Sequence, residues 1–313
     1  MKVVIVGGVA GGATAAARIR RLDENAKITV FEKSGYVSYA NCGLPYYIGG
    51  AITDPEELTL QTPESFKRRF QIDVRVRHEV TSVDTKKKTV KVKNLSTGEE
   101  FEESYDKLIL SPGAKPVKPA MTGVDTDRVF TLRTVEDTLR IHKFIAENDV
   151  KSAVIAGGGY IGLEMAENLT EKGISVTIVQ RPNQVMAPLD YDMACQLHGL
   201  LRKKGITLKF GSSVTGFEEK DGLILTTLKD DEPLKSDLVI LAIGVTPDTA
   251  LAKDAGLALG IKGSITVNER METSAPDVYA VGDAVQVKNF VTGEDALISL
   301  AGPANKQLSL IHI

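Results

Sequence analysis

The chain has 313 residues, 25% charged and 42% hydrophobic, with a net charge of −3. That length suggests two domains with real cores, and the mild acidity argues against a nucleic-acid or anionic-membrane surface. No apolar run reaches a membrane span, and the two cysteines, Cys42 and Cys195, make no disulfide framework and suit a reducing cytoplasm.

Met1-Lys2 runs directly into an apolar strand, Val3 to Val6, which leaves no room for a signal peptide. A glycine turn follows, Gly7-Gly8-Val9-Ala10-Gly11-Gly12, and then a predicted helix from about Ala13 to Leu22. The second strand, Lys27 to Phe31, ends in Glu32. This order fits a dinucleotide: tight-turn glycines admit a pyrophosphate to the helix N-terminus, and the acid accepts ribose hydroxyls. Val9 stands where the usual fingerprint has glycine. On the helix, Arg18 and Arg21 share a face. They are either ligands for the phosphates of a substrate close to Cys42 or a solvated basic face.

Ser38-Tyr39-Ala40-Asn41-Cys42-Gly43-Leu44-Pro45 comes next, with one cysteine just before a short helix that Gly49-Gly50 ends. Proline is favoured in a first helical turn. A thiol there faces unpaired N–H groups and the positive end of the helix dipole, which favour a thiolate. The competing reading is a small buried hydrophobe.

Glu64 to Phe70 predicts a helix carrying Lys67, Arg68 and Arg69. Alternation over Val74-Arg75-Val76-Arg77 and over Thr89 to Lys93 predicts half-buried antiparallel strands, with Lys86-Lys87-Lys88 at the turn between strands. Tyr105 to Leu110 is a further strand, ending at Ser111-Pro112-Gly113. Pro112 to Pro119 reads as a crossover between domains.

The opening theme then repeats. Ala153 to Ala156 is the strand, and Gly157-Gly158-Gly159-Tyr160-Ile161-Gly162 supplies all three fingerprint glycines. The helix runs to Lys172 and stops at Gly173. The following strand, Ser175 to Val179, ends in Gln180-Arg181. Gln180 is neutral where an acid selects NAD, and Arg181 suits a 2′-phosphate, so NADPH is favoured and NADH is the alternative. Asp237 to Ile243 is another apolar strand, before Gly244-Val245-Thr246-Pro247. Val278 to Val281 leads into Gly282-Asp283, a strand end suited to a flavin ribityl hydroxyl or pyrophosphate edge; Asp283 also reads as a cap for the next helix.

Taken together, Val6 to Ala13, Ser38 to Pro45, Ser111-Pro112-Gly113, Gly157 to Glu164 and Gly282-Asp283 resemble the pyridine nucleotide-disulfide oxidoreductases. The resemblance is to their single-cysteine branch, the group of coenzyme A-disulfide reductases, NADH-dependent persulfide reductases and NADH oxidases. It runs from Met1 to about Lys306, and Asn41-Cys42-Gly43-Leu44-Pro45 is its most specific part. Valine at position 9 is ordinary in that group. The resemblance implies an α/β, glutathione-reductase-like fold of two Rossmann-like, three-layer nucleotide-binding domains. An FAD domain, 1–115 and 245–313, would hold an inserted NAD(P) domain, 116–244.

By the same resemblance FAD is expected on Gly7, Val9, Ala10, Gly11, Gly12, Glu32, Lys33, Val80, Ser111, Pro112, Gly113, Gly282 and Asp283. NADPH or NADH is expected on Gly157, Gly158, Gly159, Tyr160, Ile161, Gly162, Gln180, Arg181 and Gly244. Glu164 is expected near the nicotinamide, or as an ordinary helix residue. Thr14, Arg18, Arg21, Ser38 and Asn41 are implied to line a coenzyme A site. Hydride would pass from nicotinamide to flavin, and electrons on to the Cys42 sulfur. No metal is assigned.

Dithiol relatives carry Cys-x-x-x-x-Cys, whereas the fifth residue after Cys42 is Tyr47, and Cys195 is assigned to the other nucleotide domain. Oxidised Cys42 is therefore a mixed disulfide with a small thiol, a persulfide or a sulfenic acid. The first two suit a small-molecule disulfide or persulfide reductase and the third a peroxidase or oxidase. A flavoprotein reductase of a protein electron carrier and a non-catalytic nucleotide-binding remnant are the other classes. Family members form homodimers through a C-terminal domain that gives tyrosines to the partner's active site. Here Asn305-Lys306 is followed by Gln307-Leu308-Ser309-Leu310-Ile311-His312-Ile313, and that domain is expected to be absent.

Overall fold

The computed structural model describes residues 1–307; the tail from Leu308 lies outside the described residues. The chain divides into two compact units, one of residues 1–40, 59–115 and 246 onwards, the other of 41–58 and 116–245. Asn41–Leu58, which chain order alone assigns with the first domain, thus groups with the second unit by packing.

In the first unit a five-stranded parallel sheet runs in the order Val278–Ala280, Lys107–Leu110, Lys2–Val6, Lys27–Glu32, Asp73–Val76. Side chains alternate across it. Val3, Ile5, Ile28 and Val30 face one core with Ala15, Ala16 and Ile19 of the Ala10–Leu22 helix. Val4, Val6, Phe31, Leu108 and Leu110 face a second core with Val80, Val90 and Val92 of an antiparallel meander, His78–Asp84, Thr89–Asn94 and Glu100–Ser104. Residues apolar on both faces read as continuous runs because both faces are covered. Each fully buried valine or isoleucine contributes about 1.5–3 kcal/mol by leaving water.

The second unit repeats the plan. Its parallel sheet runs Thr207–Phe210, Ser175–Gln180, Ser152–Ala156, Leu238–Leu241, Val129–Phe130. Its meander, Val214–Lys220, Leu223–Leu228 and Asp231–Ser236, packs Phe217, Ile224 and Leu228 on Val154, Val179 and Val239. Both units are therefore three-layered α/β folds of the Rossmann kind.

Three expectations are corrected. The first helix begins at Ala10, not Ala13, with Ala13 N already donating to Val9 O at 2.9 Å. Gly12 lies inside the helix because a Cβ there would meet Gly7 O at 1.8 Å, and Gly162 repeats this against Gly157 O at 2.0 Å. Asp73–Val76 is a parallel edge strand beside Lys27–Glu32, not antiparallel. The Pro63–Phe70 helix is its crossover, and one-sided burial at an edge gives the same alternation as a hairpin. The Tyr105–Leu110 strand is shorter, Lys107–Leu110, and Tyr105 is buried in the meander-side core. Among the described residues no helix is long and apolar enough to cross a membrane.

Candidate active site

In the first unit the strand ends bring the expected flavin residues together. Val6 registers with Leu110, and Leu110 with Ala280, so Gly7, Ser111 and Gly282 follow at one end of the sheet. Ligands of open parallel sheets bind outside that carboxyl end. Glu32 is 7% exposed. Its Oε2 accepts from Gly8 N and its Oε1 from Ser34 N, both at 2.8 Å. The Ala10–Leu22 helix has no side-chain cap and no acid in its first turn. Its leading N–H groups and positive dipole end thus suit an anionic pyrophosphate. Ser111 Oγ would lie 2.4 Å from a Cβ at Gly11, so the end of the Lys107–Leu110 strand closes tightly on this turn. The donor set and the glycine cradle fit a dinucleotide.

The remaining first-unit assignments are more varied. Lys33 is exposed and pairs with Asp248 at 3.1 Å, which also meets Lys115 at 3.5 Å. Val80 is buried in the meander-side core. Asp283 lies within the short 3-10 turn Gly282–Ala284, whose N-cap is Val281. Gly282 N donates to Gln307 Oε1 at 2.8 Å. Thr14 Oγ1 meets Asn305 Oδ1 at 3.0 Å, and Arg18 and Arg21 are exposed. Ser38 has φ 50°, its N–H on Gly8 O at 2.8 Å and its carbonyl on Leu60 N at 2.9 Å.

The second unit carries the matching loop. Gly158 N donates to Gln180 Oε1 at 2.9 Å, the counterpart of the Gly8–Glu32 contact. Gln180 Nε2 donates to Gln184 O at 3.2 Å, which leaves both ends of the amide engaged. Arg181, the next residue, is exposed. The Tyr160–Glu171 helix again has no side-chain cap and no first-turn acid. Gly159 opens onto free space, Gly244 has φ 116°, Ile161 is half-buried and Tyr160 is 61% exposed.

The loop is supported from behind. Met186 N donates to Gly158 O at 2.8 Å, and Val185 N to Nε2 of buried His198 at 3.2 Å. Burial, then Arg202, pushes the His198 imidazole below its usual range, in keeping with a neutral acceptor ring.

The cysteine segment is also part of the second unit. Asn41–Gly43 is a 3-10 turn, and Leu44–Gly49 an α-helix with Pro45 in its first turn, ended by Gly50. Leu44 and Ile48 are fully buried. Tyr47 is buried with its ring 4.9 Å from that of His142 on the Val135–Glu147 helix. Cys42 is free and exposed, which overturns the buried-hydrophobe reading. Asn41 Nδ2 donates to Arg133 O at 3.0 Å.

Two groups linked to the cysteine segment escaped the sequence analysis. Burial pushes the Tyr46 hydroxyl up, and Glu164, Glu167, Cys42 and Glu171 add to the rise. Tyr46 thus senses both Cys42 and Glu164 from one place. Burial also raises the Glu164 carboxyl, with Glu167 adding to it. The spacing Cys42 to Tyr46, one helical turn, was the available signal. The second group is Asp137, whose Thr134-x-x-Asp137 capping pattern was legible. Its carboxyl is raised by burial against four lowering contacts, the largest with the Thr134 backbone.

Two dinucleotide loops and an exposed thiol are the parts of a nucleotide-dependent redox protein. The chain belongs to the pyridine nucleotide-disulphide oxidoreductase family, which it matches over residues 1–306. It is 38% identical over 310 residues to the coenzyme A disulfide reductase of Staphylococcus haemolyticus (strain JCSC1435), covering 99% of this chain and 69% of that protein. Among solved structures it is similar to reduced Bacillus anthracis CoADR-RHD, with 49% identity, TM-score 0.96, and 99% and 56% of the two chains covered. A second is a NAD-dependent persulfide reductase from A. fulgidus, with 37% identity, TM-score 0.95, and 99% and 58% covered. The chain therefore spans little more than half the length of those two crystallised proteins.

Proposed function

We propose that this chain is the nucleotide-binding and thiol-bearing part of an FAD-dependent NAD(P)H oxidoreductase that reduces a coenzyme A-type disulfide or persulfide through Cys42. The observation that carries it is one exposed, free thiol in the turn that leads into a short helix packed against the second nucleotide-binding helix. FAD is held by the first loop, Gly7 to Gly12 with Glu32, Ser111 and Asp283, and NAD(P)H by the second, Gly157 to Gly162 with Gln180 and Arg181. Bound there, they would supply the electron pair, carried as hydride, for reduction at sulfur.

The chain's own part is thiol chemistry. The Cys42 thiolate attacks one sulfur of the substrate disulfide, whose S–S bond breaks; one thiolate leaves and takes up a proton, and Cys42 keeps the other half as a mixed disulfide. Position 47 holds a buried tyrosine against His142, so no second thiol resolves that species from within the segment. Arg18, Arg21, Thr14, Ser38 and Asn41 serve the coenzyme A moiety, the arginines as phosphate partners. The FAD domain is drawn from 1–115 and from 245 onwards, apart from 41–58, which groups by packing with the NAD(P) domain, 116–244. A reducing cytoplasm keeps both cysteines free.

Anaerobic titration of the FAD-loaded chain with NADPH or NADH tests the reading. Flavin bleaching should be accompanied by a long-wavelength thiolate-to-flavin band that disappears in Cys42→Ser. A protein that takes up no flavin would overturn it, and bleaching with turnover untouched in Cys42→Ser would favour direct flavin chemistry with oxygen or a protein carrier.

A further inference from the structure

One peptide unit ties a half-buried carboxylate to the residue that precedes the thiol. The N–H of the 133–134 peptide, Thr134 N, donates to Asp137 Oδ2 at 3.1 Å, and the carbonyl of the same peptide, Arg133 O, accepts from Asn41 Nδ2 at 3.0 Å. Arg133 N also donates to Asp137 Oδ2, at 3.0 Å. The peptide is trans, so its two dipolar ends point opposite ways. A carbonyl is only an acceptor, and the atom of Asn41 that meets it must be the amide nitrogen. Asn41 Oδ1 is thereby turned the other way.

We propose that Asp137 is a positioning residue for the thiol site: through the 133–134 peptide it fixes the Asn41 carboxamide with its oxygen presented as acceptor to an N–H or O–H donor of the thiol substrate. This rests on the reading of Asn41 as a substrate contact. With no acceptor at position 137 the 133–134 peptide loses the bond that holds its N–H. Its N–H can then replace its carbonyl before Asn41, and the amide turns over, offering a donor where the substrate brings one. The hydrogen bonds run in series from carboxylate to amide, and such chains polarise one another. Asp137 also completes a capping box with Thr134, whose Oγ1 accepts from Asp137 N at 3.2 Å. A residue that only capped the helix would affect stability and leave substrate affinity alone.

The test uses the full chain with Cys195→Ser, so that Cys42 is the one thiol. Coenzyme A disulfide is added, and mixed-disulfide formation on Cys42 is followed by mass spectrometry; no cofactor turnover is needed. Asp137→Ala should raise the half-saturating concentration about five- to tenfold and change the maximal rate less than twofold. Asn41→Ala should do the same, and the double variant no more than either alone, because both changes break one chain of bonds. Asp137→Glu should restore affinity, since glutamate serves this helix position equally well. Thr134→Ala should lower the melting midpoint with affinity unchanged. If Asn41→Ala raises the half-saturating concentration and Asp137→Ala does not, the proposal is overturned while Asn41 keeps its role. If Asn41→Ala has no effect, or no mixed disulfide forms in the parent, the reading of the site fails and the proposal with it.

Discussion

Gly49 of the cysteine helix lies so close to Asn168 of the nucleotide helix that a Cβ at position 49 would meet Asn168 Oδ1 at 2.1 Å. Asn168 is 1% exposed and donates from Nδ2 to Glu164 O at 2.8 Å, so it has nowhere to retreat. The close approach of the Leu44–Gly49 helix to the Tyr160–Glu171 helix depends on that missing side chain.

Gly49→Ala should therefore destabilise the second unit by about 1–3 kcal/mol, the usual range for overpacking. Urea unfolding followed by a probe in that unit measures it. Adding Asn168→Ala should give a total smaller than the sum of the two single changes, since the alanine removes the clashing amide. Strict additivity would mean that Gly49 is not in contact with Asn168.

Cys42→Ser should keep NAD(P)H-dependent flavin reduction and lose turnover of coenzyme A disulfide or persulfide. Cys195→Ser, on the exposed face of the Tyr191–Lys203 helix, should change neither. Steady-state assays of both variants decide this.

Arg181→Ala should weaken NADPH use about ten- to a hundredfold and barely touch NADH, the scale of one charge-assisted contact. Gln180→Glu should move preference towards NADH. A carboxylate there still accepts from Gly158 N, as Glu32 does from Gly8 N, while the Gln184 contact is lost. The ratio of kcat/KM for the two nucleotides reads both effects; equal losses for both would show that Arg181 does not recognise the 2′-phosphate.

The His198 ring predicts a pH dependence. Its folded pKa lies below the ordinary 6.5, because burial and Arg202 oppose the charged form. The unfolded chain then binds the proton more readily, so this stabilisation is complete above pH 6.5 and is lost as pH falls below that value towards the folded pKa. Protonation also sets an N–H against Val185 N–H, behind the Gly158 turn. Unfolding free energy measured from pH 8 to pH 5 should fall at the acid end, and His198→Phe should flatten that part of the profile.

Local sequence determined the two strand–glycine–helix–strand units, the acid or amide that ends each second strand, and Pro45 and Gly50 bounding the cysteine helix. Each follows from neighbours a few residues apart: a glycine forced by a nearby carbonyl, an apolar run forced by two covered faces, a proline that needs no N–H. Chain order did not reveal which unit the Asn41–Leu58 segment packs with, nor that Val74–Val76 runs parallel to its neighbour, since alternation reports one exposed face and not strand direction. The cysteine alone reads as a buried hydrophobe, and only the two nucleotide-binding patterns turn the reading to a reactive thiol; its exposure depends on which helices lie beside it. Asn41 meets the Arg133 carbonyl and Tyr47 the His142 ring across more than ninety residues of chain. Such contacts form only when separate elements pack, and no local pattern encodes them.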